Sequence, residues 1–297
     1  MNIPFGNIAT GLDHAGIVVP DLGAAALEWQ RLGFAPTALA RHEAAGPDGV
    51  IGPTGTGNRC IMLGQGYLEL IAVVDPSRGS ATLARFLARH TGIHILTLAT
   101  PDAEAALHRL RRAGLDTELI TSARAADPEA PTGAQARFKR LAITTAVPRL
   151  QLLQHLTPEL VWQPRFLRHP NHAVALEAII VASDAPAELA AMLSRVAGVA
   201  MVADPLGGYA LVLGQGAVRV VPPDAARAML PGVDIRCSPF AASLVLRTDD
   251  GNRAVAALAQ ARPVGDGHLL TATGTAVLFR PAGGLAVGNT NRNDQVP

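Results

Sequence analysis

A repeated turn-and-strand constrains this chain more than any other feature. Met62-Leu63-Gly64-Gln65-Gly66 recurs 150 residues later as Val212-Leu213-Gly214-Gln215-Gly216, and an apolar strand follows each copy. Two glycines around a single residue make a tight turn that admits a positive φ. The first copy runs into Tyr67-Leu68-Glu69-Leu70-Ile71 and the second into Ala217-Val218-Arg219-Val220-Val221, so Glu69 and Arg219 hold the same place. The chain therefore reads as a duplication. One half keeps a carboxylate among apolar residues, and the other has exchanged it for a cation.

A finer pattern repeats within each half. In the first unit, a strand at 12–19 holds His14, Asp21 caps a helix over 22–32, and Gly33 ends it. A strand at 34–40, a Gly/Pro-rich loop at 44–57 and a hairpin of 59–63 with 67–74 follow. A helical stretch at 82–89 leads to the second unit. There a strand at 93–99 holds His94, Asp102 caps a helix over 103–113, and strands fall near 117–121, 138–145 and 150–155 around a loop at 123–136. The third unit has a strand at 176–182, Asp184 as cap, a helix over 186–197 and strands near 199–202, 209–213 and 217–221. The fourth has a strand at 243–247, Asp249 or Asp250 as cap, a helix over 252–260 and strands near 268–271 and 276–279.

The chain thus predicts an α+β protein of four βαβββ units. A unit of four strands is marginal alone, so the units pair, one with two and three with four. This gives a domain at 1–157, a linker at 158–170 holding Pro158, Pro164 and Pro170, a second domain at 171–287 and a polar tail at 288–297.

Composition supports packed cores: 49% of the residues are hydrophobic and 16% charged, while aromatics are 4%, so Ala, Leu, Val and Ile must fill them. A net charge of +1 with dispersed basic residues excludes a nucleic-acid footprint and a polybasic membrane anchor. Cys60 and Cys237 fall in different halves and read as buried thiols, not as a disulfide or a metal pair. Residues 1–10 lack a basic and apolar leader, and no apolar run reaches the roughly 18 residues of a membrane span. A soluble cytoplasmic protein is expected.

Chemistry concentrates in the first half. His14, Glu69 and His94 lie on strands that would line the concave face of a curved sheet. Two imidazoles and a carboxylate can hold a divalent transition metal with positions left open, and such an ion polarises a substrate oxygen. A fourth candidate lies in Leu150-Gln151-Leu152-Leu153-Gln154-His155. Side chains alternate along a strand, so only one of Gln151 and Gln154 can join a shared cavity. Counting from Pro76 and Pro158 equates Glu69 with Gln151, while Gln154 competes beside His155. Burying Glu69 unpaired is costly, and an ion pair with Arg59 is its plain structural explanation. His42, Asn58 and Arg59 flank the long loop and either read a polar substrate group or tie the loop down. In the second half the positions of His14 and Glu69 fall to Glu177 and Arg219, an ion pair, and the fourth unit offers Ser243. His169 and His172 read as surface histidines.

Three pieces of the first half, Leu12-Asp13-His14, Gly57-Asn58-Arg59 and Tyr67-Leu68-Glu69-Leu70-Ile71, resemble the vicinal oxygen chelate superfamily in its glyoxalase-like branch. Gln154-His155-Leu156-Thr157-Pro158-Glu159 resembles a closing motif of that branch and tips the choice towards Gln154. The resemblance covers 11–160 and implies paired βαβββ modules of the glyoxalase/bleomycin-resistance/dioxygenase kind around a half-barrel cavity. It implies a metal set of His14, Glu69, His94 and Gln154 holding Zn, Ni, Mn or Fe, with Glu69 the catalytic candidate, and His42, Asn58 and Arg59 at the substrate. A glutamine in the fourth place departs from the carboxylate that a glyoxalase-type base requires. A metal-dependent lyase, isomerase or oxygenase acting on a small oxygenated molecule is the expected function, with a homodimer in keeping with the superfamily. A metal-free protein that binds and sequesters a small ligand is the alternative.

Overall fold

The computed structural model describes residues 8–46, 48–143 and 146–282. The expected tail at 288–297 lies outside the described residues. The first unit comprises β1 (Gly11–Val18), α1 (Leu22–Arg31), β2 (Ala40–Ala45), β3 (Ile51–Met62) and β4 (Tyr67–Val73). After α2 (Ala81–Arg89), the second comprises β5 (Gly92–Ala99), α3 (Ala103–Arg112), β6 (Leu119–Ala125), β7 (Gln135–Ile143) and β8 (Arg149–His155). The third has β9 (Ala173–Ala182), α4 (Pro186–Ala197), β10 (Val202–Ala203), β11 (Tyr209–Val212) and β12 (Ala217–Val221). After α5 (Pro223–Met229) come β13 (Phe240–Thr248), α6 (Arg253–Ala256), β14 (Arg262–Val264), β15 (Gly267–Ala272) and β16 (Thr275–Pro281). Asp21 and Asp102 cap α1 and α3 through their side chains, as their placement predicts.

Four local expectations are corrected. The second strand lies at 40–45 instead of 34–40, and much of the supposed loop at 44–57 is strand. The ladders Ala44↔Gly52 and Thr56↔Val73 hold that glycine-rich stretch extended, so tertiary pairing overrides composition. Gly57 suits it, since a Cβ there would sit 2.8 Å from the Ala40 carbonyl oxygen. Helix α6 covers only Arg253–Ala256 of the expected 252–260, and α5 lies where no helix was expected.

The first two units form a closed barrel in the order β1-β4-β3-β2-β6-β7-β8-β5. The half-barrel expectation is exceeded because β2 and β6 pair directly, Glu43 opposite Ala123 and Ala44 opposite Ser122. The last two units form an open eight-stranded sheet, whose end strands β10 and β14 have two and three residues. Such short edges cannot close a ring.

Outward faces of both sheets and the helices between them share one core. It includes Leu12, Trp29, Leu70, Leu110, Leu193 and Val277, from all four units. The repeated turns lock it. The Leu176 amide donates to the Gln65 carbonyl at 2.9 Å, and the Leu12 amide donates to the Gln215 carbonyl at 2.6 Å. Each turn therefore accepts the first strand of the opposite half. Gly66 and Gly216 have φ of 70° and 75°, and a Cβ would come within 3.0 Å of the Asp13 carbonyl oxygen or 2.9 Å of Leu12 Cβ. Conformation and close approach both demand glycine, which accounts for the repeat without any chemistry.

The inward faces differ. In the second half α5 and the chain after it fill the concavity: Ala226, Met229 and Leu230 pack on Ala178, Ile180, Phe240 and Leu278. In the barrel, Val161 and Trp162, from the segment expected to be a linker, pack with Cys60, Met62, Tyr67 and Phe138 at one end. Leu83 and Phe86 of α2 pack on Val18, Ile71 and Ile95 at the other. Space remains between them. Among the described residues no helix is long and apolar enough to cross a membrane.

Candidate active site

The barrel encloses a cavity of about 320 Å³, with His14, His42, Glu69, Arg124, Arg140, Arg149 and Gln151 on its wall. Strand register sets this face. His14 lies opposite Tyr67 and Gly16 opposite Glu69, so the imidazole and the carboxylate point inward two residues apart. Gly16 leaves the necessary room, since a Cβ there would meet Ile95 Cβ at 2.8 Å.

Hydrogen bonds fix the polar groups. Asp13 Oδ1 lies 2.6 Å from His14 Nδ1, and its Oδ2 lies 2.8 Å from His155 Nε2. Asn58 Nδ2 donates to Glu69 Oε1 at 2.6 Å. His14 Nε2 and His42 Nε2 face the same carboxylate at 3.5 and 3.4 Å. A chain of polar contacts leads away from His14. Its Nε2 is 3.0 Å from Thr97 Oγ1, Gln151 Nε2 donates to that oxygen at 3.1 Å, and Arg140 Nη1 donates to Gln151 Oε1 at 3.0 Å.

These contacts outweigh desolvation. Burial alone would lower the His14 pKa, but Asp13 and Glu69 raise it to about 9. Burial would raise Asp13, yet the bonds from His14 and His155 hold it at about 2. Glu69, also pushed up by burial, is held well below the usual carboxylate range by His14 and His42. At neutral pH the array is an imidazolium between two carboxylates. Tyr67 stacks on His14 with centroids 4.4 Å apart, and burial lifts its phenol well above 10, so it stays neutral.

The structure brings together His14, Glu69, His42 and Asn58, with Asn58 behind the carboxylate. It does not bring His94, Gln154 or Arg59 to the cavity. His94 stacks on His90 and Phe86 and its Nε2 donates to the His90 carbonyl at 2.7 Å. Burial drops its pKa to about 4. The reason is a step of one residue: Ile95, seven before the cap Asp102 as His14 is seven before Asp21, faces inward instead. Gln154 caps α3, accepting from the Ala103 amide at 3.1 Å and donating to the Pro101 carbonyl at 2.9 Å. Gln151, which lies opposite Thr97 as Glu69 lies opposite Gly16, is the one in the cavity. Arg59 Nη1 donates to the Thr37 carbonyl at 3.0 Å, so it neither reads a ligand nor neutralises Glu69.

The Glu177–Arg219 pair is absent. Arg219 binds Asp204 at 2.6 Å and Glu177 binds Arg247 at 3.1 Å. Helix α4 is capped at Ala185, not Asp184, so the inward counterpart of His14 is Ala178, opposite Ala217. His169 is a buried pin, its Nε2 donating to the Met62 carbonyl at 2.7 Å, while His172 is exposed. Sequence reasoning missed Asp13, Thr97, Arg124, Arg140 and Arg149. One signal existed: Phe138 and Arg140 stand two apart on a strand, so the aromatic and the guanidinium share a face.

The donor set does not fit the four-ligand metal site that the resemblance implies. The positions equivalent to His14 and Glu69 across the barrel hold Ile95 and Gln151, an alkyl chain and a neutral amide. Among the described residues no three His, Cys, Asp or Glu side chains are grouped to hold a metal ion.

Comparison with known proteins bears on the fold. A family model described as a glyoxalase-like domain matches residues 12–197. No protein of curated function matches the sequence significantly. A hypothetical protein from Staphylococcus aureus is similar at 12% identity and a TM-score of 0.65, over 91% of this chain and 99% of that one. A mutant of 4-hydroxymandelate synthase from Streptomyces coelicolor is similar at 17% identity and a TM-score of 0.56, over 92% and 93%. A Mn(II)-bound glyoxalase from Novosphingobium aromaticivorans is similar at 12% identity and a TM-score of 0.53, over 93% and 83%. At such identities the likeness is one of fold.

Proposed function

Since the chain belongs to the glyoxalase-like domain family, we propose that its barrel transfers a proton on a small oxygenated molecule, in the manner of a lyase or isomerase. The observation that carries this reading is the Asp13–His14–Glu69 array opening on the barrel cavity. Asp13 orients His14, and the paired imidazolium can donate a proton to a substrate oxygen. Glu69 can accept a proton from the adjacent carbon. At rest its proton affinity is low because His14 faces it. Once His14 has given its proton to substrate, its share of that restraint is gone, with His42 still facing the carboxylate, and Glu69 becomes a stronger base, so the two transfers are coupled. Burial of Asp13, His14 and Glu69 strengthens these interactions.

No step runs through a metal, because Ile95 and Gln151 stand where the two further ligands would be required. The same reading takes the protein as cytoplasmic and acting on a free small molecule. It needs no homodimer, because the second half already covers the helices of the first. The low resting basicity of Glu69 favours a second reading, a protein that sequesters its ligand without reaction.

Deuterium exchange decides between them. In D2O, the protein should exchange the carbon-bound proton next to a carbonyl in one member of a panel of small hydroxy- and oxo-carbonyl compounds, followed by NMR. Glu69→Gln should slow exchange by about 10²-fold or more, and prior treatment with EDTA should leave it unchanged. Exchange that survives Glu69→Gln, or that disappears with EDTA, overturns the proton-transfer reading. Binding without exchange favours sequestration.

A further inference from the structure

Arg124, Arg140 and Arg149 stand on three neighbouring strands, β6, β7 and β8, and all three reach the cavity wall. Arg124 is only 7% exposed, yet among the described residues neither its guanidinium nor that of Arg149 has a hydrogen bond or ion pair. Their recorded contacts are with rings, Arg124 over Phe138 at 5.8 Å and Arg149 over Phe86 at 6.0 Å. Arg140 has one bond, to the neutral amide of Gln151. The Glu69 charge is felt by Arg124 and Arg140 but forms no ion pair with either, its oxygens being engaged by Asn58, His14 and His42. Burying a guanidinium without a counter-charge is strongly unfavourable. Two of these cations also crowd each other: burial first, then the charges of Arg140 and Arg85, push Arg149 down to about 10. Such a wall is unfavourable when empty and is stabilised by an anion.

We propose that the molecule held in this cavity carries an oxyanion head group, a carboxylate or a phosphate, bound by Arg140 and Arg149 with Arg124 completing the cationic wall. Guanidinium forks match both groups with paired hydrogen bonds. A cavity of about 320 Å³, near the lower limit of ligand pockets, suits a small organic anion and excludes a large conjugate. The polar chain Arg140–Gln151–Thr97–His14 joins this wall to the proton-transfer groups. The head group would then lie at one end of the chain, and the reacting carbon would face Glu69. This substrate class rests on the proton-transfer reading for its orientation, but binding tests it separately.

Isothermal titration with malonate, inorganic phosphate and neutral malonamide tests the proposal. The wild-type protein should bind malonate or phosphate one to one and leave malonamide unbound, and which anion binds more tightly identifies the head group. Arg140→Gln and Arg149→Gln should each weaken anion binding by about tenfold or more, with circular dichroism checking that each variant is folded. Should a glutamine variant not fold, Arg149→Lys keeps the charge and should retain partial binding. Arg137→Gln, at an exposed position of β7, should bind as the wild type does. Glu69→Gln should bind anions at least as tightly, since a negative charge is removed. Anion binding in both proteins with no exchange in the wild type would sink the catalytic reading and leave the oxyanion site standing. Exchange on a neutral carbonyl with no anion bound at millimolar concentration, or equal binding of malonamide, would overturn the oxyanion site.

Discussion

Asp13 holds two imidazoles at once, and the charge state of the site depends on it. Asp13→Asn leaves His14 with Glu69 as its one carboxylate partner, so the His14 pKa should fall below about 9, read by NMR titration of its ring. Breaking a buried pair on one side should also cost on the order of 3–5 kcal/mol in urea unfolding. The pH dependence of the wild type follows from the directions of shift. His14 is raised in the folded state, so its contribution to stability is full below about 6.5 and is lost as pH rises through about 9. Asp13 is lowered, so its contribution is present above 3.8 and is lost as pH falls through about 2. Stability, followed by urea midpoints across pH, should therefore fall on the alkaline side from near 6.5 upward. The two glutamines separate structure from site. Gln154→Ala should cost about 1 kcal/mol through the lost cap of α3 and leave anion binding intact. Gln151→Ala should weaken anion binding, because Arg140 loses the amide that aims it.

Single elements carry the difference between the halves. The Gly-Gln-Gly turns are joints, each receiving the first strand of the other half. Gly66→Ala and Gly216→Ala combine a left-handed φ with contacts of 3.0 and 2.9 Å. Each should destabilise by on the order of 1–3 kcal/mol, measured by chemical denaturation, although the two turns lie in different halves. The segment around Trp162 is a floor, with its ring 4.7 Å from His155 and 6.1 Å from Tyr67. Trp162→Ala should loosen the packing against Tyr67 and His155 and cost on the order of 1–3 kcal/mol, read by urea unfolding. Helix α5 plays the opposite part, filling the concavity of the second sheet with apolar side chains.

At the scale of the molecule, the two sheets behave as one body. The Trp29 ring nitrogen donates to Thr273 Oγ1 at 3.0 Å, the Thr273 amide donates to Glu28 at 3.0 Å, and the common core draws on all four units. A fragment of residues 1–157 would expose the helix faces that the second sheet covers. Expressed alone it should aggregate or bind a hydrophobic dye, and co-expression with 158–297 should restore a soluble complex. A soluble monomeric fragment with a sharp thermal transition would contradict this.

Much of the fold was legible because local chemistry repeats. Asp21 and Asp102 announce their helices, the Gly-Gln-Gly turns announce their hairpins, and apolar runs of strand length lie between them. His14 and Glu69 were legible for a related reason: a polar group in an apolar strand demands a partner. The rest turned on register, which local sequence does not encode. One residue separates inward Ile95 from outward His94, and three separate Gln151 from Gln154, so strand pairing alone assigns their faces. Asp13, Thr97 and the three arginines meet His14 and Glu69 only because β1 pairs with β5 and because β2 and β6 close the ring. The sequence by itself determined the four units and their caps, since those rest on contacts between near neighbours. Tertiary structure decided which side chains share the cavity, because barrel closure brings distant strands together and turns each side chain inward or outward.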